Sequence, residues 1–270
     1  MNYRHAYHAG NFADCVKHAL LVLLLNALRR KDTPFLVLDT HAGIGRYDLT
    51  AGPAAKTGEW RDGIAPVLAA RPAALEDYCA LVDRLGLYPG SPAITAALLR
   101  PGDRLIACEL HKEDAGSLKR AFAGVTNVAV HERDGYAALR AFLPPPERRA
   151  LVLIDPPYER ADEFAVLADQ LIKAWRQFPT GVFAAWYPIK HLAPVRQFFE
   201  TLKLSGVRDV VAASFWRREP LDPARLNGCG LLVINPPYRF AEEATPVLSA
   251  FGDILGEVGA GYAVEVLADE

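Results

Sequence analysis

The chain is 270 residues long, 51% hydrophobic and 23% charged, the profile of a globular protein with a sizeable core and not of a disordered chain. Its four cysteines, Cys15, Cys79, Cys108 and Cys229, form no C-x-x-C pair, so neither a zinc site nor a disulfide framework is expected, and a reducing cytoplasm suits the chain. The net charge of −2 is uneven: residues 241–270 hold seven acids and no Lys or Arg, while residues 1–31 hold Arg4, Lys17, Arg29, Arg30 and Lys31 against Asp14 alone. That asymmetry leaves room for a basic face toward a phosphate backbone.

In chain order, Phe12 to Arg30 reads as a helix with Asn11 as its N-cap. The apolar run from Ala19 to Leu25 within it is well short of the roughly 20 residues a membrane span needs. Arg29, Arg30 and Lys31 follow where a leader would carry small residues, so the run is a buried helix and no membrane association is expected. Tyr7 and Phe12 are expected in the core. His5, His8, His18 and His41 show no zincin spacing, and no metal site is expected.

Phe35 to Leu38, ending at Asp39, has the continuous apolar pattern of a buried parallel strand. Comparable runs are 105–108, 128–130, 150–154, 182–186, 210–213 and 231–234, with helical stretches at 112–123, 135–142, 163–177 and 191–203. The alternation predicts a doubly wound α/β sheet. The last two strands lack a helix long enough for a crossover, which predicts an antiparallel edge there. Residues 48–91 break the rhythm, with helices near 61–70 and 73–85 between Gly/Pro-rich borders. They read as a helical insertion in a core made of 1–47 and 92–270.

The fourth strand ends in Asp155-Pro156-Pro157-Tyr158. A carboxylate at the carboxyl end of a buried strand reaches the crevice where open α/β sheets bind ligands. The prolines stiffen the backbone and leave the Pro156 carbonyl free to accept, and Tyr158 offers a ring face. Two acceptors aimed at one planar amino group draw its lone pair out of conjugation and make the nitrogen nucleophilic. Asn235-Pro236-Pro237-Tyr238 repeats the pattern, but the antiparallel direction expected of its strand sends it to the opposite edge of the sheet. It is read as a decoy whose prolines terminate a strand.

The glycine loop Asp39-Thr40-His41-Ala42-Gly43-Ile44-Gly45 follows the first strand. A third glycine of the dinucleotide fingerprint would fall at Asp48, and no G-K-[ST] is present, so neither a dinucleotide nor a P-loop site fits. An acid at the strand end, Asp39, repels phosphate and suits a cationic ligand. S-adenosylmethionine, with its sulfonium and free amino group, has that character. Glu109 ends the second strand, where an acid binds ribose hydroxyls, displaced along the chain by the insertion. Asp134, followed by Gly135, ends the third strand, where it suits the adenine amino group of the cofactor.

Asp39 to Tyr47 and Asp155 to Tyr158 look like motifs I and IV of amino-methyltransferases that use S-adenosylmethionine. Tyr3-Arg4-His5-Ala6-Tyr7-His8-Ala9-Gly10-Asn11, continuing to Asp14, Lys17 and His18, closely resembles the RlmJ family, bacterial methyltransferases of adenine N6 in 23S rRNA. Thr57-Gly58-Glu59, Tyr88 to Pro92 and Trp186-Tyr187-Pro188 extend the resemblance along the chain. It implies a Rossmann-like S-adenosylmethionine-dependent methyltransferase core with a small inserted helical subdomain. The resemblance also implies cofactor contacts at His18, His41, Ser91, Glu109, Asp134 and Gly135, beside Asp39 and Gly43. Asp155 would be the catalytic acceptor, Tyr3 a substrate contact with His5 and Lys17 as neighbours, and Pro156 and Tyr158 the walls for the base. S-adenosylhomocysteine would be the product, and 23S rRNA, free or in early assembly, the partner of a monomer. A DNA adenine-N6 methyltransferase and a protein glutamine-N5 methyltransferase, the latter usually with Asn in place of Asp155, stay open as alternatives. A non-catalytic RNA-binding module would have no need of acids at all four strand ends.

Overall fold

The computed structural model describes residues 4–269, so Tyr3 lies outside the described residues. Eight strands form one sheet: β1 (Leu36–Asp39), β2 (Arg104–Glu109), β3 (Val128–Glu132), β4 (Ala150–Ile154), β5 (Val182–Ile189), β6 (Val210–Trp216), β7 (Gly228–Ile234) and β8 (Gly261–Ala268). Their spatial order is β8-β6-β7-β5-β4-β1-β2-β3. β1 pairs in parallel with β2 and β4, β2 with β3, and β4 with β5. β7 runs antiparallel to both β5 and β6, so β6 points the same way as β1 to β5. Six carboxyl ends therefore share one edge, and the chain order reverses between β1 and β4, the topological switch point at which such sheets bind ligands.

The apolar runs in the sequence become strands because both faces of the sheet are covered. Successive side chains alternate between faces: Val37, Leu151 and Leu153 enter one core, and Leu36, Leu38, Val152 and Ile154 the other. The first core lies under the helices Phe12–Arg29, Ser91–Leu98 and Phe240–Leu255, and the second under Gly135–Phe142, Glu163–Gln177 and Leu192–Leu204. Each fully buried Leu or Ile contributes about 1.5–3 kcal/mol relative to exposure, which favours an unbroken apolar strand over any alternating pattern here. The amino-terminal helix is apolar on most faces because it too is enclosed, and Asn11 caps it by accepting from the Asp14 N–H at 2.9 Å. Among the described residues no helix is long and apolar enough to cross a membrane.

Between β1 and β2 lie the helices Gly52–Thr57, Ile64–Ala70, Glu76–Leu85 and Ser91–Leu98. The first three are bracketed by a small antiparallel ribbon, Arg46–Tyr47 against Tyr88–Pro89, and the Gly90 N–H donates to the Gly45 carbonyl at 2.9 Å.

Three features differ from the sequence reading. The antiparallel pairing at the end of the chain is present, but β7 is interior and β8 is the edge. The acid-rich stretch 241–270, for which no element was expected, contains most of the Phe240–Leu255 helix and that edge strand. Phe12 is buried, whereas Tyr7 is 40% exposed, because the short 3-10 turn His5–Tyr7 runs along the rim of a cleft and not beneath it.

Candidate active site

A cleft of about 320 Å³ opens along the shared carboxyl edge. Of the residues singled out in the sequence, His5, Lys17, His18, His41, Gly43, Ser91, Glu109, Asp134, Gly135, Asp155, Pro156 and Tyr158 all line it. Asp39 lies just behind the wall, fully buried, and reaches the lining through Ser91, whose Oγ donates to Asp39 Oδ2 at 2.7 Å.

The strand-end acids are in different states of satisfaction. Asp39 Oδ1 is buried and has no hydrogen-bond partner among the described residues, and burial pushes the carboxyl up to about 6. Glu109 accepts from the Gly43 N–H at 2.9 Å through Oε2 and from the His111 N–H at 2.7 Å through Oε1, while burial raises its pKa above the ordinary value. Asp134 caps the Gly135–Phe142 helix by accepting from the Ala137 N–H at 2.8 Å. Each oxygen in these bonds retains lone-pair capacity.

The glycines fit this crowding. A side chain at Gly135 would place a Cβ 2.4 Å from the Thr40 carbonyl oxygen and 2.8 Å from His41 Nε2. At Gly43, where φ is +61°, a Cβ would lie 2.4 Å from the Tyr47 hydroxyl. Thr40 also fixes the tautomer of His41. Its Oγ1 donates to the Leu153 carbonyl at 2.9 Å, so it accepts from His41 Nδ1–H at 2.8 Å, leaving Nε2 with a lone pair. Burial lowers His41 to about 4 and His18 to about 3, so both are neutral at pH 7.

The amino-terminal helix supplies the opposite wall. Asp14, Lys17 and His18 stand at i, i+3 and i+4, one face of a helix. The Lys17 ammonium bridges Asp14 Oδ1 at 2.9 Å and Asp155 Oδ2 at 2.7 Å. Burial opposes the charge on Lys17, but the two carboxylates outweigh it and hold the pKa well above the usual lysine value. Burial likewise opposes ionisation of Asp14, and cationic neighbours outweigh it. The basic side chains of His18, His5 and Lys17 beside it hold Asp14 well below the ordinary carboxylate range. Asp14 also accepts from the Gly10 N–H at 3.0 Å and faces His5 Nε2 at 3.2 Å. His18 Nδ1 meets the Tyr88 hydroxyl at 3.0 Å, and Tyr88 meets Tyr78 at 3.0 Å, so a buried polar chain runs from the cleft into the inserted helices.

Asp155 thus has one oxygen held by Lys17, and no bond to its Oδ1 is seen among the described residues. Tyr158 adopts φ +51°, a left-handed conformation that costs of order 1–3 kcal/mol in a non-glycine residue. It is held there by its hydroxyl, which donates to the Trp186 carbonyl at 2.9 Å, and by edge contacts with Phe164 and Trp186 at centroid distances of 5.0 and 5.7 Å. The repeat at 235–238 is built differently: Asn235 itself has φ +52°, its amide donates to the Pro179 and Gly181 carbonyls at 2.7 Å, and Tyr238 is 86% exposed. Ile234 pairs with Phe183 near the start of β5, at the far edge of the sheet from the cleft.

Comparison with known proteins decides what this cleft belongs to. A family model described as "Ribosomal RNA large subunit methyltransferase D, RlmJ" matches residues 32–267. The chain is 37% identical to ribosomal RNA large subunit methyltransferase J of Escherichia coli strain K12, covering 97% of each chain.

This chain belongs to the RlmJ family.

It is also 35% identical to the protein of the same name in Haemophilus influenzae over the whole of both chains. A crystallised Legionella pneumophila protein, 35% identical, superposes with a TM-score of 0.88 over 96% of this chain and 98% of that one. Membership of the RlmJ family makes the chain a ribosomal RNA methyltransferase, and its cofactor is S-adenosylmethionine. Asp14, Thr40, Trp186 and Lys190 are site residues that received no role from the sequence. Asp14 had a legible signal in its helical spacing to Lys17 and His18, and Trp186 in the Trp186-Tyr187-Pro188 stretch of the resemblance.

Proposed function

We propose that this chain methylates the N6 amino group of an adenosine in 23S rRNA, acting as a cytoplasmic monomer on free or early-assembling RNA. The observation that carries the reading is Asp155, with one oxygen anchored by Lys17 and no bond to the other seen among the described residues, between the Pro156 carbonyl and the Tyr158 ring at the end of β4.

The residues facing the first three strand ends fit the cofactor. The orphaned Asp39 Oδ1, with Ser91 beside it, suits a cationic amino group, Glu109 suits a pair of ribose hydroxyls, and Asp134 with the Gly135 backbone suits an adenine edge. Gly43 admits close backbone approach, and the neutral imidazoles of His18 and His41 complete the wall without adding positive charge near a sulfonium. Bound there, S-adenosylmethionine supplies an electrophilic methyl carbon.

The protein's own part is to prepare the nitrogen. The target base leaves its stack at a cost of a few kcal/mol, and stacking on Tyr158 returns ~1–3 kcal/mol. Asp155 Oδ1 and the Pro156 carbonyl accept the two N6 hydrogens and draw the lone pair toward the reacting face. Those bonds strengthen as positive charge develops on N6, so the site favours the transition state over bound substrate. Lys17, already protonated between two carboxylates, fixes the Asp155 rotamer and is no acceptor for the N6 proton. His5 contacts the RNA at the rim of the cleft, and Tyr3, outside the described residues, is proposed from the sequence as a further substrate contact. Purified enzyme incubated with labelled S-adenosylmethionine and 23S rRNA from a strain lacking the gene should place label in N6-methyladenosine. Label in another nucleoside, or transfer only to duplex DNA or a glutamine side chain, would refute the reading.

A further inference from the structure

Three stretches of chain leave the sheet at one level beside the cleft. Ile189 and Trp216, the last residues of β5 and β6, both register with Gly228, the first residue of β7. Lys190, Arg217 and Asn227 are therefore the first residues beyond the sheet on three neighbouring strands. Asn227 ties them together. Its N–H donates to the Ile189 carbonyl at 3.0 Å, its carbonyl accepts from the Arg217 N–H at 2.8 Å, and its side-chain amide donates to the Lys190 and Asp222 carbonyls, both at 2.7 Å. It is fully buried. The hairpin 217–227 is thereby clamped over the edge of the cleft, which Pro188, Lys190 and Leu226 line.

The charges on this rim are unlike those opposite. On the cofactor side, Arg4 is paired with Glu113 and Asp114. On the hairpin side, Arg217 and Arg218 share the single carboxylate Glu257, at 3.0 and 2.7 Å. Arg225 is the third arginine of the same loop; it and Lys190 are exposed and form no salt bridge among the described residues, although the charge of Arg225 also acts on Glu257. Lys190, Arg217, Arg218 and Arg225 stand against Glu257 and the exposed Glu219 and Asp222 of the same loop, which leaves a net positive charge of one on a backbone that is rigid at its base.

We propose that Lys190 and Arg225, carried on the Asn227-clamped rim, bind the phosphates that flank the extruded adenosine, so that the RNA strand crosses the cleft on the hairpin side. The proposal rests on the RNA-methyltransferase reading for its ligand, an RNA strand, and on charge complementarity for its place. Phosphate contacts fix register without reading sequence, which suits a rim next to a pocket that itself selects the base.

The test is binding, separable from methyl transfer. An adenosine-containing stem-loop RNA is titrated by fluorescence anisotropy against the full-length enzyme, its Lys190→Gln and Arg225→Gln variants and the pair, with S-adenosylhomocysteine present. Each single change should weaken binding about three- to tenfold and lower the slope of log K against log salt by about 0.7, the share of one phosphate on a single strand. Arg176→Gln, on the far end of the Glu163–Gln177 helix, should change neither. S-adenosylhomocysteine affinity by calorimetry should stay within about twofold in all variants, which excludes misfolding. Unchanged RNA affinity and salt slope in the double variant would overturn the proposal. RNA held through these residues but methylated at another atom would sink the N6 reading and leave this rim in place.

Discussion

Asp39 is a group whose charge the fold tolerates poorly and the proposed cofactor site needs. Its carboxyl is raised from 3.8 to about 6 by burial, and roughly two pKa units correspond to about 3 kcal/mol of native-state cost at neutral pH. Asp39→Asn removes that charge and keeps an acceptor for Ser91, but it turns a donor toward the space now facing Oδ1, at a cost of about 1–3 kcal/mol if unmet. The balance is a gain of about 1 kcal/mol, or ~2–4 °C in Tm for a chain of this size. The sign with pH follows from linkage. Between about pH 4 and 6 the folded state holds the proton and the unfolded state does not, so the cost is absent below about pH 4 and fully present above about pH 6. The Tm advantage of the variant should therefore be largest at pH 7 and shrink toward pH 4.5. Losing the charge-assisted bond to the cofactor, worth about 1.5–3 kcal/mol, should raise the Kd for S-adenosylmethionine at least about tenfold. Scanning calorimetry without cofactor and titration calorimetry with it read the two effects separately. A variant that melts lower than wild type at pH 7 and binds the cofactor as tightly would refute both the burial argument and the assignment.

Asp155→Ala should cut kcat by ~10²–10³ while cofactor affinity stays within a few-fold, and retention of more than about a tenth of wild-type kcat would remove Asp155 from the mechanism. Lys17→Ala leaves Asp14 buried without its full cation and should destabilise the fold by about 3–5 kcal/mol in urea titration, the usual result of breaking a buried pair; a loss under about 1 kcal/mol would mean that the pair is solvated. Asn235→Ala, at the far edge of the sheet, should leave kcat within about threefold and cost ~1 kcal/mol of stability from the lost bonds to Pro179 and Gly181; a folded but inactive variant would contradict its place outside the cleft.

The strands were legible because strands buried on both faces have no choice but continuous apolar sequence, and each run from Phe35 to Ile234 lies in a strand of the sheet. The acids were legible because they stop those runs. The carboxyl-terminal helix was not, although Phe240, Ala244, Val247, Leu248, Phe251 and Leu255 repeat at helical spacing. Pro246 and Gly252 interrupt the pattern locally, and its acids, Glu242 and Glu243, draw attention to charge and away from period; in the structure Glu242 pairs with Arg239 and Glu243 with Arg30. β8 alternates Tyr262, Val264 and Val266 with Ala263 and Glu265 before an irregularity at Leu267, the weaker signature of an edge strand. Within the site, the pairing of Lys17 with Asp155 spans 138 positions and is invisible to any local pattern. Asn227 gave no signal either, because its role lies in backbone carbonyls that sequence does not display.

The amino-terminal helix is the first element made and among the last that can dock. Its packing partners include β7 and the Phe240–Leu255 helix, and individual contacts tie Ala13 to Cys229 and Arg30 to Glu243. A chain emerging from the ribosome amino terminus first therefore carries Lys17 exposed through most of its synthesis, while the sheet that will receive it assembles from β1 onward. Two of the elements that pack on this helix, β7 and the Phe240–Leu255 helix, come near the end of the sequence given. On the proposed reading, a chain in which this helix has not yet docked would hold the strand-end acids without the charge that anchors Asp155.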